Sequence, residues 1–433
     1  MIFYAQHYKD RIKITLFDEN CRNPSKVYVI VKYVYYVVSN MLLNDIRVLD
    51  VTHAVAGPTA TQILADLGAE VIKIERPNTG DIFRNSATMG PSIFVALNRN
   101  KKSVVIDLSK PEGRDLLLEL VKKSDVMIEN LAPGDAEKYG ITYDVIKNIN
   151  PKIIYCSITS FGEGPYKYIP AFDPVIEAMT GFMSVTGFPP DKYVRAGVSF
   201  LDMVAGMLAA IGVITALYKR RINNEGCQIE ISLADSGLFI MSYWIPYYKK
   251  YKKNPSPVGS GHWFGAPYQL FKFKDGYLYI AILSDKQWEK FCKALGFEDL
   301  LKDERYKTTA DRAKRKSELE GELAKRFESM SAKETFDKLL KSGEYFPVGP
   351  LYTIKDIFDD PHFAQRGIIK KHSYNEEEYW TAITPIRIGN NYTAGSGKIP
   401  RLGEHTRQIL RELLNIPEDK ISELEKKKII QSF

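Results

Sequence analysis

Short apolar runs alternate with helix-like patterns between residues 46 and 158 of this 433-residue chain. Residues 46–51 and 70–75 have the composition of buried strands, and the amphipathic pattern of residues 59–67 between them ends at Gly68. Two strands joined through a helix form a βαβ unit, in which the strands are parallel and the helix covers one face of the sheet. This alternation therefore predicts a parallel sheet.

The alternation continues, with strand patterns at residues 103–108, 125–130 and 153–158 and a helical pattern at residues 111–123. Five strands before residue 160 predict an α/β fold with a doubly wound parallel sheet. Ligands of such sheets bind beyond the carboxyl ends of the strands. The loops at those ends are therefore the candidate binding region.

Four loops follow these strands, at residues 52–58, 75–81, 98–103 and 129–134. Between flexible Gly and Pro residues they supply basic and amide side chains, namely Arg76, Arg99, Lys101, Lys102 and Asn130. This group suits a phosphorylated nucleotide. The loops contain no GxGxxG, so a nicotinamide or flavin dinucleotide is disfavoured.

Two carboxylates, Asp173 and Asp202, flank a segment rich in Gly and Pro. Asp202 directly precedes residues 203–218, which carry no charge and are expected to form an apolar helix. A carboxylate at a helix start can accept backbone N–H bonds and feels the positive end of the helix, which is expected to keep it ionised. Asp202 is thus a candidate nucleophile, although capping is the commoner role for Asp at such a position. Asp173 has a similar place before residues 174–179.

Composition and charge limit the classes of partner. Hydrophobic residues make up 45% and charged residues 26%, as in soluble globular proteins. The net charge of +7 comes from interspersed residues, which fits a small anionic ligand and argues against nucleic acid. Residues 26–38 form a Tyr- and Val-rich run that is too short to span a membrane and lacks the features of a signal peptide. No membrane partner is expected, and residues 1–40 are interpreted as an atypical N-terminal extension, with Met41 as the effective start.

The four cysteines, Cys21, Cys156, Cys227 and Cys292, are far apart in the sequence. They form no CxxC, and no histidine lies near them at metal-ligand spacing, which argues against a disulfide framework and a zinc site. The expected compartment is reducing and cytoplasmic, and no metal is expected.

Several motifs in the same order resemble the class III CoA-transferases, a family that includes formyl-CoA transferase and alpha-methylacyl-CoA racemase. They are residues 46–81, residues 98–134 and the LGEHT of residues 402–406. The resemblance implies an interlocked homodimer, a Rossmann-like large domain that holds the CoA thioester as a substrate, and no permanently bound cofactor. It places the large domain at residues 41–235, the linker and a smaller α+β domain at 236–358, and a return segment at 359–433.

The family's nucleophilic aspartate falls on Asp202. Its CoA-contacting positions fall on His53, Val55, Ala56, Arg76, Ile106, Ser109, Asn130, Leu131, Lys138 and Tyr139. Lys138 replaces an arginine of the family, which keeps the charge but loses bidentate geometry. Val55 replaces a glutamine of formyl-CoA transferase, which argues against formate or oxalate as substrate. Residues 259–265 lie where the family has a mobile glycine loop over the active site.

The racemase branch uses an aspartate and a histidine as acid and base, and its aspartate falls on Asp173. The expected histidine is missing, because Tyr143 and Asp144 occupy that region. Two-base racemisation needs both groups. The resemblance therefore favours CoA transfer between an acyl-CoA and a carboxylic acid, with Asp173 as a supporting residue. A racemase using Asp173 and a CoA-binding protein without turnover remain the alternatives.

Overall fold

The computed structural model describes residues 3–8, 11–16, 42–342, 347–389, 391–394 and 397–433. The Tyr- and Val-rich run at residues 26–38 lies outside this part of the chain. The strands of the described residues are, in chain order, β1 (Phe3–Tyr8), β2 (Arg11–Leu16), β3 (Arg47–Val51), β4 (Glu70–Glu75), β5 (Lys102–Ile106), β6 (Val126–Glu129), β7 (Ile154–Thr159), β8 (Gly187–Phe188), β9 (Lys192–Tyr193), β10 (Cys227–Ser232), β11 (Tyr268–Phe273), β12 (Gly276–Ala281), β13 (Val348–Pro350), β14 (Ile369–Tyr374), β15 (Glu377–Ala382), β16 (Arg387–Ile388), β17 (Asn391–Tyr392) and β18 (Ile430–Gln431).

The helices include two short 3-10 turns, Met183–Val185 and Glu304–Tyr306. The α-helices are α1 (Ala56–Asp66), α2 (Ser92–Leu97), α3 (Pro111–Lys122), α4 (Asp135–Tyr139), α5 (Tyr143–Ile149), α6 (Asp173–Met179), α7 (Phe200–Asn223), α8 (Leu233–Ile240), α9 (Trp244–Tyr251), α10 (Asp285–Leu295), α11 (Glu298–Lys302), α12 (Thr309–Lys314), α13 (Lys316–Phe327), α14 (Ala332–Lys341), α15 (Ile354–Asp359), α16 (Pro361–Arg366), α17 (Thr406–Glu412) and α18 (Glu418–Lys426).

Seven strands form the central sheet in the order β10-β7-β6-β3-β4-β5-β18. Neighbouring strands are parallel, except that β18 runs antiparallel to β5. Starting from β3, the chain adds β4 and β5 on one side and β6, β7 and β10 on the other. The α/β prediction with a doubly wound sheet is confirmed, and the strand order reverses between β3 and β6. At such a switch point the loops after two neighbouring strands diverge and leave a crevice.

Each strand from β3 to β7 contributes to one apolar cluster. Helices cover this cluster on one face of the sheet. Its members include Leu49, Ile72, Val104, Met127 and Tyr155, each at most 2% exposed. Parallel strands that are covered by helices have nearly continuous apolar sequences, and this is why the strands could be predicted from the sequence. The core therefore fixes the strand ends from which the loops emerge.

Helix α7 packs its Ala- and Gly-rich side against α1, β7 and β10. The two helices come very close at Gly206, where a Cβ atom would lie 2.5 Å from the carbonyl oxygen of Ala56. Because no other residue fits there, Gly206 sets the spacing of α7 from the start of α1. By length and composition α7 is also the one described helix that could cross a membrane, and half of its apolar window is buried. Core helices of soluble proteins meet the same criteria of length and composition.

The chain divides into two compact units. Unit 1 contains residues 1–173, 199–236 and 368–433, and unit 2 contains residues 174–198 and 237–367. The predicted boundary at 235 lies next to the division after residue 236. Residues 174–198 were assigned to the large domain and residues 359–367 to the return segment, and both instead belong to unit 2. For residues 174–198 the reason is local packing, since Gly259 donates its N–H to the carbonyl of Gly187 at 2.8 Å within that unit.

Unit 2 is built on the antiparallel three-stranded sheet β11-β12-β13. Its core is aromatic, with Phe273 stacked on Phe327 at a centroid distance of 4.5 Å and Trp288 beside Phe291. Helices α10, α11, α13 and α14 contribute further apolar side chains to this core.

Candidate active site

A cavity of about 350 Å³ opens in unit 1 at the switch point of the sheet. Residues after β3, β6 and β7, together with residues of β10 and the first turn of α7, line it. Six of the predicted site residues are among them: His53, Val55, Ala56, Asn130, Leu131 and Asp202. The fold thus brings together side chains that are about 150 positions apart in sequence.

The loop after β3 is held by Asn130. The side-chain oxygen of Asn130 accepts the N–H of His53 at 2.9 Å, and its amide nitrogen donates to the carbonyl of His53 at 2.9 Å. Ala54 follows with a φ of 65°, a conformation that non-glycine residues adopt only when their surroundings hold them. Asn130 was predicted to contact CoA, and in this structure both ends of its amide group hold the backbone of the predicted CoA loop.

His53 carries little positive charge in this position. Burial lowers the pKa of its imidazole, and the nearby cations Arg76 and Lys73 add to this effect, while Asp81 opposes it. The ring is therefore mainly neutral at pH 7, and His53 is one of the residues that line the cavity.

Asp202 lies in the first turn of α7 and its side chain lines the cavity. Burial, together with the charge of Asp173, raises the pKa of Asp202 to about 7. The expectation that the helix start keeps Asp202 fully ionised is therefore wrong, because desolvation and the neighbouring carboxylate outweigh the helix end. Near neutral pH the side chain exists in both forms.

Asp173 performs the capping role that the sequence suggested for Asp202. One of its carboxylate oxygens accepts the N–H of Leu201 at 2.7 Å and that of Asp202 at 3.0 Å. The residue is 2% exposed, and its other oxygen has no hydrogen-bond partner among the described residues. Asp173 thus fixes the backbone of Asp202 and sits too deep to line the cavity.

Five predicted CoA contacts do not line this cavity. Ile106 is packed in the sheet core, and Ser109 is exposed and bonded to Asp107. Arg76 and Lys138 are exposed, and Tyr139 is partly buried against the apolar core of the sheet. The predicted CoA contacts thus divide into five that line the cavity and five that do not.

The expectation that Arg99 and Lys101 serve a nucleotide is wrong. Arg99 is 1% exposed and paired with Asp66 at 2.8 Å, and Lys101 is 3% exposed and paired with Asp50 at 2.9 Å. Neither side chain is free to meet a ligand. Lys102 is partly exposed and paired with Glu70.

The prediction missed Glu129, the last residue of β6, which is 5% exposed and lines the cavity. One of its oxygens accepts the N–H of Leu131 at 2.9 Å and the other accepts the hydroxyl of Tyr155 at 3.3 Å. Burial raises the pKa of this carboxyl group. Asn130 was identified because ligands bind beyond the carboxyl ends of parallel strands, and the same rule would have identified Glu129.

Residues 259–265 belong to unit 2. Gly259 has a φ of 64°, and Trp263 packs edge-on against Trp244 at a centroid distance of 4.6 Å. A mobile cover over the active site stays a prediction. Among the described residues, no group of three or more His, Cys, Asp or Glu could hold a metal ion.

Comparison with known proteins relates this geometry to a family. Residues 43–406 match CoA-transferase family III. A succinyl-CoA:glutarate CoA-transferase from Mus musculus is 34% identical over 88% of this chain and 88% of its own. A formyl-CoA:oxalate CoA-transferase from Afipia carboxidovorans is 32% identical over 88% of this chain and 96% of its own.

Among solved structures, a CAIB/BAIF family protein from Brucella suis superposes with a TM-score of 0.79. It is 35% identical, and the match covers 86% of this chain and 100% of that one. Sequence match and fold agree over most of the chain, and the chain therefore belongs to CoA-transferase family III and is a CoA-transferase.

Proposed function

We propose that this enzyme transfers CoA from an acyl-CoA thioester to a carboxylic acid through a covalent intermediate on Asp202. The observation that carries the proposal is the position of Asp202: it is the carboxylate on the first turn of α7, in the same cavity as His53, Val55 and Ala56. A carboxylate on a fixed backbone position beside the predicted CoA loop is suited to attack a thioester.

In the first half of the reaction, the Asp202 carboxylate attacks the thioester carbonyl of the donor, and the C–S bond breaks. The products are an acyl-aspartyl anhydride and CoA thiolate. The thiolate then attacks the aspartyl carbonyl and releases the donor acid, which leaves CoA as a thioester on Asp202.

In the second half, the acceptor carboxylate attacks the aspartyl thioester and releases CoA thiolate again. The thiolate attacks the acceptor's acyl carbon in the new anhydride, which yields the new acyl-CoA and restores the Asp202 carboxylate. No proton is consumed and no cofactor is needed, because each step exchanges one nucleophile for another at an acyl carbon.

The burial of Asp173 argues against the racemase alternative. An acid or base for racemisation must reach the carbon beside the thioester carbonyl. Asp173 is 2% exposed, does not line the cavity, and holds two backbone N–H groups with one oxygen. It therefore supports Asp202 instead of meeting the substrate.

We infer that the substrates are dicarboxylic, with succinyl-CoA as the first donor to test and glutarate as the first acceptor. The support is the relative from Mus musculus, whose name gives both compounds. Formate and oxalate are less favoured, because Val55 occupies the position of a glutamine that formyl-CoA transferase carries.

We further propose that the enzyme is a cytoplasmic homodimer. Six apolar side chains on α7 are 37–74% exposed and follow one another at intervals of three or four residues along one stripe: Met203, Met207, Ile211, Ile214, Tyr218 and Ile222. Such a stripe on a soluble enzyme is expected to be covered. A second copy of the chain is the occupant that the family resemblance implies.

The proposal is tested by incubating the purified protein with succinyl-CoA and a panel of carboxylates and following new thioesters by mass spectrometry. Glutaryl-CoA should form, and Asp202→Asn should reduce its rate on the order of a thousandfold or more. Hydroxylamine should trap Asp202 as a modified residue in the presence of succinyl-CoA alone.

Three outcomes would contradict the proposal. Full transferase activity in Asp202→Asn would exclude the nucleophile. Exchange of the α-hydrogen of a 2-methylacyl-CoA with solvent deuterium, without thioester transfer, would favour the racemase. Binding of CoA without any turnover of the panel would indicate a binding protein.

A further inference from the structure

A cluster of four buried charged side chains lies next to loop 52–58, which carries His53 and Val55. They are Asp50, Lys73, Asp81 and Lys101, and none is more than 4% exposed. None of the four lines the cavity, so the reaction proposed above gives them no role.

Lys73 holds the first carbonyl of the loop. Its ammonium group donates to the carbonyl oxygen of Thr52 at 2.9 Å, and it lies 3.1 Å from a carboxylate oxygen of Asp81 and 4.0 Å from one of Asp50. The backbone N–H of Thr52 is bonded to Asp50 at 3.0 Å as well. Both backbone groups of Thr52 are therefore tied to the cluster.

Lys101 reaches the first turn of α1, which directly follows this loop. Its ammonium group donates to the carbonyl oxygen of Pro58 at 3.3 Å and to Asp50 at 2.9 Å. Its remaining contacts are with Thr61 at 2.7 Å and Asn98 at 2.9 Å. The two lysines thus hold the backbone on both sides of His53 and Val55, one at Thr52 after β3 and the other at Pro58 in the first turn of α1.

The charges in the cluster are retained at neutral pH. Burial disfavours the ammonium form of Lys73, but Asp50 and Asp81 outweigh it and raise the pKa of Lys73. Burial also disfavours the carboxylate of Asp50, but Lys101 and Lys73 hold its pKa well below the usual range. Burial lowers the pKa of Lys101 to about 8, so it too remains mostly charged at pH 7.

A purely stabilising role explains such a cluster poorly. Burying ion pairs costs desolvation, and apolar residues of similar volume often serve stability as well or better. What apolar residues cannot do is donate hydrogen bonds to the carbonyls of Thr52 and Pro58. The cluster does so on either side of Ala54, whose positive φ has to be held by its surroundings.

We propose that Lys73 and Lys101 are positioning residues for CoA binding. Lys73 fixes the carbonyl of Thr52 just before His53, Lys101 fixes the carbonyl of Pro58 in the first turn of α1, and together they hold the surface between these points that receives the thioester end of the substrate. The inference rests on the proposed function, since it takes loop 52–58 as the CoA loop.

The test measures CoA binding to the full-length protein by calorimetry. The variant Lys73→Met/Asp81→Asn removes the cation together with its nearest carboxylate, so no buried charge of that pair is left alone. Its Kd for CoA should rise about tenfold or more. The KM for the acyl-CoA should rise with it, while kcat falls less, because Asp202 is untouched.

The matched control is Arg99→Met/Asp66→Asn, which removes a buried ion pair of the same unit that has no contact with the loop. It should lower the melting temperature and leave the Kd for CoA unchanged. A second variant, Lys101→Met, leaves Asp50 with Lys73 as its partner and should weaken CoA binding as the first does.

Wild-type affinity for CoA in either folded lysine variant would overturn this inference and leave the proposed function intact. An equal loss of affinity in the Arg99→Met/Asp66→Asn control would overturn it too, because the effect would then follow from general destabilisation. Failure of the wild type to bind CoA would contradict the proposed function and this inference with it.

Discussion

At Asp202, burial and charge repulsion oppose the form of the side chain that the proposed reaction uses. The nucleophile is the carboxylate, yet the pKa of Asp202 is raised to about 7. A raised pKa also makes the carboxylate more basic and more nucleophilic once it has formed. Part of the shift comes from Asp173, which at the same time fixes the backbone of Asp202.

This geometry predicts a pH dependence. Below pH 7 most Asp202 is protonated, so kcat/KM for the donor should rise about tenfold per pH unit and level off above pH 7. Asp173→Asn removes the negative charge but keeps an oxygen that can accept the N–H groups of Leu201 and Asp202. The pKa of Asp202 should fall, and the midpoint of the pH profile should move to lower pH.

Asp173→Ala separates the effect of the charge from the effect of backbone positioning. It lacks both the charge and the oxygen that accepts the N–H groups of Leu201 and Asp202, so its reaction should be slower at every pH. Single-turnover rates with succinyl-CoA between pH 5 and 9, measured for the three proteins, would provide the profiles. An unchanged midpoint in Asp173→Asn would mean that Asp173 does not influence the ionisation of Asp202.

At the scale of elements, the crossing of α1 and α7 connects packing to the site. Gly206 is one turn after Asp202, and a Cβ atom there would lie 2.5 Å from the carbonyl of Ala56 and 2.7 Å from the side chain of Thr59. Gly206→Ala should push the helices apart and destabilise the protein by about 1–3 kcal/mol. It should also lower activity, because Asp202 and the loop before α1 would separate.

Gly212→Ala, on the same helix, is the control for helix propensity. Its Cβ would meet only the side chain of Ile229, with the Cγ2 methyl at 3.3 Å. Denaturant unfolding and transferase assays on both variants would measure the difference. Equal stability and activity in the two variants would show that the close approach at Gly206 does not matter.

The strands around the site were predictable because their burial leaves a continuous apolar pattern, and β4 was located at residues 70–75 without error. The cap of α7 was not predictable from local sequence. Asp173 accepts the N–H of Leu201, which lies 28 positions later in the chain. The basic loop was misread for a related reason. The sequence does not show whether a lysine such as Lys101 contacts a phosphate or a buried carboxylate. The one indication of a buried carboxylate was Asp50, a charged residue within an apolar strand.

At the scale of the whole molecule, the sequence located a second unit but placed residues 174–198 in the first. Local patterns identify segments as helix, strand or loop, whereas membership of a unit depends on contacts such as that of Gly259 with Gly187. The interlocked dimer is a proposal that comes from the family resemblance alone, because threading of one chain through another leaves no local signal in sequence periodicity.

The exposed stripe on α7 leads to a prediction about assembly. In a threaded homodimer the subunits cannot separate without unfolding, so the protein should elute at twice the mass of one chain and should not dissociate on dilution to nanomolar concentration. Ile211→Glu, at a side chain 59% exposed, should reduce the yield of dimer, because it places a charge within the apolar contact.

Lys219→Glu, on an exposed part of the same helix outside the stripe, is the control for the change in charge and should remain dimeric. Light scattering on the eluted protein and flotation with liposomes would measure the alternatives. A monomeric wild type with full transferase activity would contradict the dimer. Flotation of the wild type with liposomes would instead indicate that the stripe contacts a lipid surface, since a stripe covered by a second copy is no longer available to lipid.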